Sequence, residues 1–385
     1  MSDIFGEELQ ELRSLIWLQK VLGVGSGKVN KILSAFGGAQ NVFQSGRDKR
    51  TASGLFSPKE NERADKFDLS FADEILNECK IKGIRAIGIT NEKFPECVRN
   101  IPDPPLVLYI KGDFPDFDNT PVFCIVGPRE VSDFGKKAAY SLAFRLSKAG
   151  MTIVSGGAKG SDSMAHIGAL KGSGKTVAVL PCGIEFDYLN ENKPLREEIV
   201  KSGGCLISEC PPKHGMMRHS FPVRNRLLSA LSLGVAVVEA DFGSGALITA
   251  RHACEQGKDV FVIPGNPTLK QYKGSNELLR DGAKPLIDAS DIFNEYILRF
   301  SDKLDLKKAF EKQEKTVKEK SFQKKSTSGL SNQAKIVYNS LNKQKFTADD
   351  IEQQNISDEE LLVCLTELEM EGYIAALPGG FYTLL

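Results

Sequence analysis

The stretch "MTIVSGGAKGSDSMAHIGALKGSGKTVAVLPCG" (residues 151–183) decides the fold class of this chain. An apolar run of strand length leads into a glycine-rich loop, then into a helix-length segment, and then into a second apolar run. The alternation extends in both directions, through runs such as "VFCIVG", "CLISE", "VAVVEA" and "DVFVIPG". Strands that alternate with helices are typical of a mostly parallel sheet covered on both faces. We therefore predict an α/β domain over residues 71–300.

The sequence G-S-G-K-T inside this stretch resembles an ATP-binding loop, but its surroundings do not fit one. A Walker A loop reads G-x-x-x-x-G-K-[ST], follows a strand and opens a helix, because only then do backbone N–H groups point at the phosphates. Here Ala169 stands where the first glycine is required, and the helix comes before the glycines. Gly172 and Gly174 are therefore expected to end a helix, and we predict no ATPase.

The composition is that of an ordinary globular protein. Fifty basic residues balance fifty acidic ones in 385 residues, so the net charge does not identify a partner. The first residues lack the parts of a signal peptide, and no run approaches the ~18 apolar residues of a membrane span. Eight cysteines lack a regular framework, which indicates reduced thiols. Four of them lie inside apolar runs: Cys124, Cys182, Cys205 and Cys364. We expect a cytoplasmic protein without a membrane span.

Three further segments flank the α/β domain. Apolar residues at helical spacing predict a small all-α domain over residues 1–70. Residues 301–328 hold nine lysines against five acidic residues, which favours a basic flexible linker. In residues 329–385, three helical patterns and a Pro-Gly-Gly turn between two short strands indicate a winged helix.

Within the first segment, residues 21–43 ("VLGVGSGKVNKILSAFGGAQNVF") predict a helix, a glycine hairpin and a second helix. Gly23, Gly25 and Gly27 would present N–H groups to a DNA backbone, with Lys28 and Lys31 nearby. A packing or partner-docking module fits the same pattern equally well, so both interpretations stay open.

Three glycine loops have the order that a phosphate site requires, with a strand before the loop and a helix after it. Because the carboxyl ends of parallel strands meet at one edge, we expect the loops to share a rim at the switch point of the sheet. Each loop would offer backbone N–H groups at a helix N-terminus, whereas a plain tight turn is the alternative for any single loop. The predicted binding residues are Gly127 and Arg129 in the first loop, Gly156, Gly157, Lys159 and Gly160 in the second, and Gly243, Ser244 and Gly245 in the third.

A fourth segment, "HGMMRHSFPVRNRLLSALS" (residues 214–232), adds an aromatic among arginines. We expect Arg218, Ser220 and Phe221 in a loop before Pro222. The following residues Arg224, Asn225 and Arg226 are expected to open a helix. A base stacked on an aromatic beside clamped phosphates is the pattern of single-stranded nucleic-acid binding. The alternative is that Phe221 and Pro222 anchor the loop in the core.

Other chemistries have weaker support. Cys205, Cys210, His214 and His219 lack the spacer usual between pairs of zinc ligands, so we predict no metal site. The glycine loops do not contain G-x-G-x-x-G, so we predict no cofactor. No serine elbow or local histidine–carboxylate pair occurs, and we predict no catalytic residue. Acidic residues near strand ends nevertheless leave a hydrolase open: Asp162, Asp187, Glu209 and Glu239.

The long, ordered motifs of the chain resemble those of the DNA-processing protein A family (DprA, also called Smf). They are "VSGGAKGSD", "TVAVLPCGIEFDYLNEN", "LISECPP", "SFPVRNRLLSALS", "VVEADFGSGALITA" and "VFVIPGN" with "KGSNELLRDGA". The resemblance implies an extended Rossmann-like domain. It also implies an N-terminal SAM-like or helix-hairpin-helix module and a C-terminal winged helix.

The resemblance further implies a non-enzymatic protein that binds single-stranded DNA, forms a homodimer and loads the recombinase RecA in natural transformation. Single-strand-binding protein is a further expected partner. By motif, Arg129 and Lys159 match the loop cations, Arg218 the phosphate clamp and Phe221 the stacking aromatic, while Asn225 and Arg226 belong to the R-N-R motif. The chain departs from the family at Pro128 (usually Thr or Ser), Ser161 (usually Ile) and Leu189 (often Pro). Pro128 removes one backbone N–H donor.

The winged-helix segment is acidic, with nine acidic residues, three lysines and no arginine over residues 329–385. Its presumed recognition helix carries five glutamates, which phosphates would repel. We therefore predict that this segment does not read DNA and that it docks a protein or regulates the α/β domain.

Two alternatives to a DNA-binding mediator stay open. A nucleotide or nucleotide-sugar hydrolase of the lysine-decarboxylase-like Rossmann group would carry P-G-G-x-G-T-x-x-E. Here Pro378, Gly379 and Gly380 lie outside the α/β domain, and residues 242–253 contain no G-T pair followed by a glutamate. A regulatory sensor would bind a mononucleotide tightly.

Overall fold

A nine-stranded sheet forms the centre of the fold in the computed structural model, which describes residues 2–217, 219–311, 327, 329–341, 345–348, 351, 356–377 and 381–384. Its strands are β1 (Arg85–Gly88), β2 (Val107–Gly112), β3 (Val122–Val126), β4 (Thr152–Ser155), β5 (Thr176–Leu180), β6 (Cys205–Ser208), β7 (Gly234–Val237), β8 (Asp259–Val262) and β9 (Lys284–Pro285). They lie in the order β1-β2-β6-β5-β4-β3-β7-β8-β9. Strand β2 is antiparallel to β1 and β6, and all other pairs are parallel. The predicted mostly parallel sheet is confirmed.

Helices cover both faces of this sheet, as predicted. The helices of this part of the chain are α7 (Glu96–Arg99), α8 (Asp133–Lys148), α9 (Ser161–Lys171), α10 (Lys193–Lys201), α11 (Ser220–Ala230), α12 (Gly245–Glu255), α13 (Lys273–Arg280), α14 (Ala289–Tyr296) and α15 (Leu306–Phe310), with 3₁₀ turns at Asn190–Asn192 and Lys270–Tyr272. Successive β3 residues point to opposite sides, so that Phe123 packs with α8 and α14 whereas Cys124 packs with α11 and α12. The near-continuous apolar strands are explained by this burial on both faces.

The first residues form α1 (Ser2–Leu22), α2 (Val29–Phe36), α3 (Ala39–Gln44), α4 (Arg47–Ala52), α5 (Pro58–Lys66) and α6 (Ser70–Lys82). Their core is continuous with that of the sheet. Gly88 in β1 permits the contact, because a Cβ there would lie 2.5 Å from Leu15 Cδ1. Gln19 Nε2 donates to the Glu209 carbonyl oxygen at 2.9 Å. Residues 1–311 accordingly form one compact unit, which includes the start of the predicted linker up to α15.

The glycine hairpin between α1 and α2 faces the sheet. Gly25 N donates to Glu209 Oε1 at 3.1 Å, and a Cβ on Gly25 would meet Val223 at 2.6 Å. Lys28 Nζ lies 2.8 Å from Glu60 Oε2. These contacts favour the packing interpretation of the hairpin over contact with a DNA backbone.

The G-S-G-K-T sequence joins α9 to β5, so the helix precedes it and the strand follows, as predicted. Gly174 N donates to the Ala169 carbonyl oxygen at 3.2 Å, which closes the end of α9. The left-handed residue of this turn is Ser173, with φ of 61°, rather than either glycine.

A second unit covers residues 312–385. Its described elements are α16 (Asn332–Ser340), α17 (Asp358–Met370) and an antiparallel sheet of β10 (Lys345–Thr347), β12 (Phe381–Leu384) and β11 (Ile374–Leu377), in that order. Val337 and Leu368 are among its buried apolar residues. The turn at 378–380 and most of the predicted middle helix lie outside the described residues, so the winged helix stays a prediction.

Two expectations for the whole chain concern membrane spans and cysteines. Within the described residues, no helix is long and apolar enough to cross a membrane. All eight cysteines are free, and the four expected in apolar runs are buried.

Candidate functional site

A cavity of about 700 Å³ opens at the switch point of the sheet. The chain leaves β3 through α8 toward β4, whereas it leaves β7 through α12 toward β8, so the two connections diverge. A crevice at the carboxyl ends of such strands is the usual ligand position in open α/β sheets. The first and third predicted glycine loops line this cavity together with α11, and the second loop reaches it through Ala158, whereas its predicted residues Gly156, Gly157, Lys159 and Gly160 are not among the lining residues. The lining of the cavity includes Gly127, Arg129, Ala158, Phe221, Arg224, Ser244 and Gly245.

Phe221 and Arg129 both line the cavity and lie side by side. The Arg129 guanidinium carbon lies 4.6 Å from the centroid of the Phe221 ring, and the Tyr188 ring lies 6.1 Å away on a tilted plane. Among the described residues, no carboxylate forms an ion pair with Arg129. A half-buried ring held beside an unpaired cation can stack a base and contact a phosphate.

The local structure around Phe221 differs from the prediction in one respect. Helix α11 begins at Ser220, so Phe221 lies in its first turn instead of in a loop. Pro222 is tolerated there because the first turn needs no N–H partner. Pro222 is exposed rather than anchored in the core. Arg218, the predicted phosphate clamp, lies outside the described residues.

Arg224 and Asn225 connect two of the loops from beneath the cavity. Both are buried, at 6% exposure. Arg224 Nη1 donates to the Gly156 carbonyl oxygen at 2.6 Å and also to the Val179 carbonyl oxygen. Asn225 Nδ2 donates to the Gly245 carbonyl oxygen at 3.1 Å. Their contacts therefore fix the second and third glycine loops. Arg224 also lines the cavity.

Arg226 points away from the cavity. Its guanidinium is 1% exposed and pairs with Glu209 at 2.8 Å and with Asp103 at 3.0 Å. It also donates to the Val223 carbonyl oxygen at 2.8 Å. The geometry favours a structural role for this arginine, and its contact with DNA stays a prediction.

Lys159 lies in the second loop, where its amino group pairs with the carboxylate of Glu191. Asn192, next to Glu191, donates through Nδ2 to the Gly157 carbonyl oxygen at 3.1 Å and to Ser163 Oγ at 3.0 Å. The segment that follows β5 thus lies against the second loop and neutralises its lysine.

Close backbone approach explains one glycine of the second loop, Gly160. Gly160 has φ of 79°, and a Cβ there would overlap the carbonyl oxygens of Pro128 and Arg129. Ser161 N donates to the Pro128 carbonyl oxygen at 3.2 Å. Two of the departures from the family, Pro128 and Ser161, are therefore hydrogen-bonded to each other.

Two further predicted residues, Ser244 and Ser220, accept hydrogen bonds from backbone N–H groups. Ser244 caps α12, and its side chain accepts from Ala246 N at 3.3 Å. Ser220 Oγ accepts from Met217 N at 3.1 Å, and Ser220 lines a second cavity of about 720 Å³ between α1, α6 and the sheet. Lys213, one of the cations of that second cavity, is paired with Glu78 at 2.8 Å.

Three of the four acidic residues near the strand ends, Asp162, Glu209 and Glu239, are engaged in structural contacts, whereas Asp187 is exposed. Asp162 Oδ2 accepts from Ala158 N at 3.3 Å. Burial raises the pKa of the Asp162 carboxyl, and the nearby Arg224 charge opposes that rise. Glu239 is fully buried and accepts from Ser132 N at 3.1 Å and from the Tyr272 hydroxyl at 2.9 Å. The described residues contain no cluster of side chains suited to a metal ion.

Sequence reasoning missed Tyr188, Asn192, Phe242 and Lys270. Phe242 and Lys270 line the cavity, and the Phe242 side chain is 63% exposed. Phe242 lies in the third glycine loop, so its position beside Gly243 was a usable signal. Tyr188 and Asn192 approach the site only through tertiary contacts.

Fold and cavity together define an extended Rossmann-like protein with a cavity at its topological switch point. The chain belongs to the DNA recombination-mediator protein A family, whose model matches residues 85–297.

Named relatives agree with this assignment. The chain is 38% identical to the DNA processing protein DprA of Bacillus subtilis over 57% of this chain and 74% of that protein. It is 30% identical to the protein Smf of Escherichia coli over 77% of each chain.

Solved structures show the same similarity. DprA from Streptococcus pneumoniae superposes with a TM-score of 0.63 at 32% identity, covering 74% of this chain and 97% of that one. DprA from Helicobacter pylori, from a study of its single-stranded DNA binding mode, gives a TM-score of 0.51 at 33% identity, covering 56% and 96%.

Proposed function

We propose that this protein binds single-stranded DNA in the switch-point cavity and acts without catalysis. The observation that carries the proposal is the pair formed by Arg129 and the half-buried Phe221 ring at the rim of three glycine loops. A single strand exposes both its bases and its phosphates, so a ring and a cation side by side can bind it without reading sequence. Duplex DNA hides its bases in the stack and cannot use the ring.

The loops supply the phosphate contacts in this proposal. The N-termini of α9 and α12 follow the second and third loops, and a helix N-terminus attracts anions through its dipole and its free N–H groups. Arg129 adds a full charge, and Lys159 adds another once it leaves Glu191. Arg224 and Asn225 hold the loops in position, which lowers the entropic cost of binding.

Binding without turnover agrees with the state of three of the four carboxylates near the strand ends. Asp162, Glu209 and Glu239 each accept hydrogen bonds from the protein, so each already stabilises a loop or a helix end. A hydrolase at the switch-point cavity would need one of them to be available to activate water, since the exposed Asp187 lines a different cavity.

We further propose the family's mediator role, in which a homodimer in the cytoplasm protects the strand and loads RecA onto it during natural transformation. The resemblance of the motifs supports this step, and the free cysteines agree with a reducing compartment. Displacement of single-strand-binding protein would then precede loading. The assay is the lag before RecA hydrolyses ATP on strands coated with that protein. A shorter lag supports loading, and an unchanged lag contradicts it.

Fluorescence anisotropy of a labelled oligo-dT, against the matching duplex, tests the binding step. For about five phosphate contacts, a slope of roughly −0.7 per contact predicts about a hundredfold loss of affinity between about 50 and 200 mM salt. We expect single-strand preference with that slope, weakened by Arg129→Ala. Equal binding to duplex, or no binding, would refute the proposal. Tight binding of a mononucleotide alone would favour the sensor instead.

A further inference from the structure

Phe242 is an exposed aromatic that lines the same cavity. Its side chain is 63% exposed, and it lines the cavity together with Arg129 and Phe221. A single exposed apolar side chain is common on protein surfaces. Phe242 differs from such a case because its surroundings hold it beside a candidate nucleic-acid site.

A tight turn presents the Phe242 ring to solvent. Ser244 N donates to the Asp241 carbonyl oxygen at 3.1 Å, which closes a four-residue turn with Phe242 and Gly243 at its centre. Gly243 has φ of 80°, the positive value that a type II turn requires at its third residue. Phe242 therefore occupies the outer corner of the turn.

The turn is braced from below by α13. Ser275 N donates to the Ala240 carbonyl oxygen at 2.9 Å, immediately before the turn. Gly274 lies against the Asp241 backbone so closely that a Cβ would come within 2.9 Å of it. A braced turn needs little ordering when a ligand arrives, and a phenyl ring has only two side-chain torsions to fix.

The surroundings of the turn suit a nucleotide more than a protein side chain. Helix α12 starts at Gly245, directly after the turn, so its N-terminus faces the same cavity. Lys270, whose side chain is 83% exposed, also lines the cavity; its amino group is paired with Asp241 at 3.4 Å and can contact a phosphate once it leaves that carboxylate. A cavity of about 700 Å³ is in the upper part of the ~300–1,000 Å³ range of small-ligand pockets, which leaves room beyond one stacked base.

We infer that Phe242 is a second base platform, so that the switch-point cavity holds two bases of one strand, one on Phe221 and one on Phe242. This inference rests on the proposed function and adds a subsite to it. Stacking is sequence-tolerant, so the second platform raises affinity without adding base specificity.

The test compares Phe242→Ala with Phe134→Ala on two ligands. Phe134 is a matched control, because its ring is 53% exposed in α8, contacts Tyr272 and does not line the cavity. The ligands are oligo-dT and an abasic strand of equal length, which keeps the phosphates and lacks the bases. Binding is measured by anisotropy, and thermal melting confirms that each variant folds.

We expect Phe242→Ala to weaken oligo-dT binding by roughly 5- to 150-fold, the equivalent of about 1–3 kcal/mol per stacked base. The abasic strand should bind Phe242→Ala and the unmodified protein equally. Phe242→Trp should retain affinity, whereas Phe242→Leu should lose it. Phe134→Ala should resemble the unmodified protein on both ligands.

Failure of the second platform and failure of the proposed function give different results. If oligo-dT binds and Phe221→Ala weakens it, while Phe242→Ala behaves like Phe134→Ala, the second platform is refuted and the proposed function stands. Equal weakening of the abasic strand by Phe242→Ala would also refute a base platform. If the unmodified protein does not bind oligo-dT, the proposed function itself fails.

Discussion

Removal of one carboxylate should increase the affinity of this protein for single-stranded DNA. Glu191 pairs with Lys159, the cation of the second glycine loop, and the two side chains are 68% and 46% exposed. A phosphate that approaches Lys159 must displace this carboxylate and overcome its negative charge. Glu191→Gln keeps the size of the side chain and removes its negative charge. The phosphate then has no ion pair to break and no anion to approach.

The expected gain is modest because the ion pair is exposed. Exposed pairs contribute about 0.2–1 kcal/mol, which corresponds to roughly 1.4- to 5-fold in affinity. The gain should shrink as salt rises, since salt screens exposed charges. In a Lys159→Ala background, Glu191→Gln should lose the part of its effect that comes from freeing the lysine.

Anisotropy of labelled oligo-dT at about 50 mM salt measures the change. Glu197→Gln is the matched control. It removes one negative charge, as Glu191→Gln does, but on α10 and among residues that line a different cavity. Unchanged or weaker binding by Glu191→Gln would refute the reasoning. An equal gain from Glu197→Gln would show that only net charge matters.

Three further predictions concern stability and the role of the second unit. Arg224→Met should lower the free energy of unfolding by about 2–4 kcal/mol, since buried carbonyl oxygens lose their donor; an unchanged urea midpoint would contradict this. Ile153→Ala in β4 should lower the free energy of unfolding by about 2–5 kcal/mol and lower the unfolding midpoint reported by the fluorescence of the single tryptophan, Trp17. An unchanged Trp17 transition would mean that the N-terminal helices unfold separately from the sheet. A chain truncated after residue 311 should bind oligo-dT within about twofold of the full chain, because the removed residues 312–385 hold nine lysines against eleven acidic residues and so carry no net positive charge; a large loss would overturn that expectation.

The sheet was predictable because its signal is local. Apolar runs of four to six residues mark strands that are buried on both faces, and each run quoted from the sequence overlaps a strand. Strand β9 was missed because two residues, Lys284 and Pro285, carry no such pattern. The order of helix and strand around G-S-G-K-T could likewise be predicted from the sequence alone.

The site was only partly predictable. The shared rim of the three loops follows from parallel topology. Arg224 lines the cavity whereas Arg226 points away from it, and helix geometry explains this difference, since side chains two residues apart on α11 are rotated by about 200°. The contact of Tyr188 with Phe221 and the pairing of Lys159 with Glu191 join residues more than thirty positions apart. Only the folded chain reveals such contacts.

The central claim, that a single strand lies in the switch-point cavity, is tested most directly by photocross-linking. Oligo-dT that contains 5-iododeoxyuridine is irradiated with the full chain, and the linked peptides are identified by mass spectrometry. We predict cross-links within residues 219–224, which contain Phe221, and within the turn at 241–246. Cross-links confined to residues 1–70 or 329–385 would contradict the account.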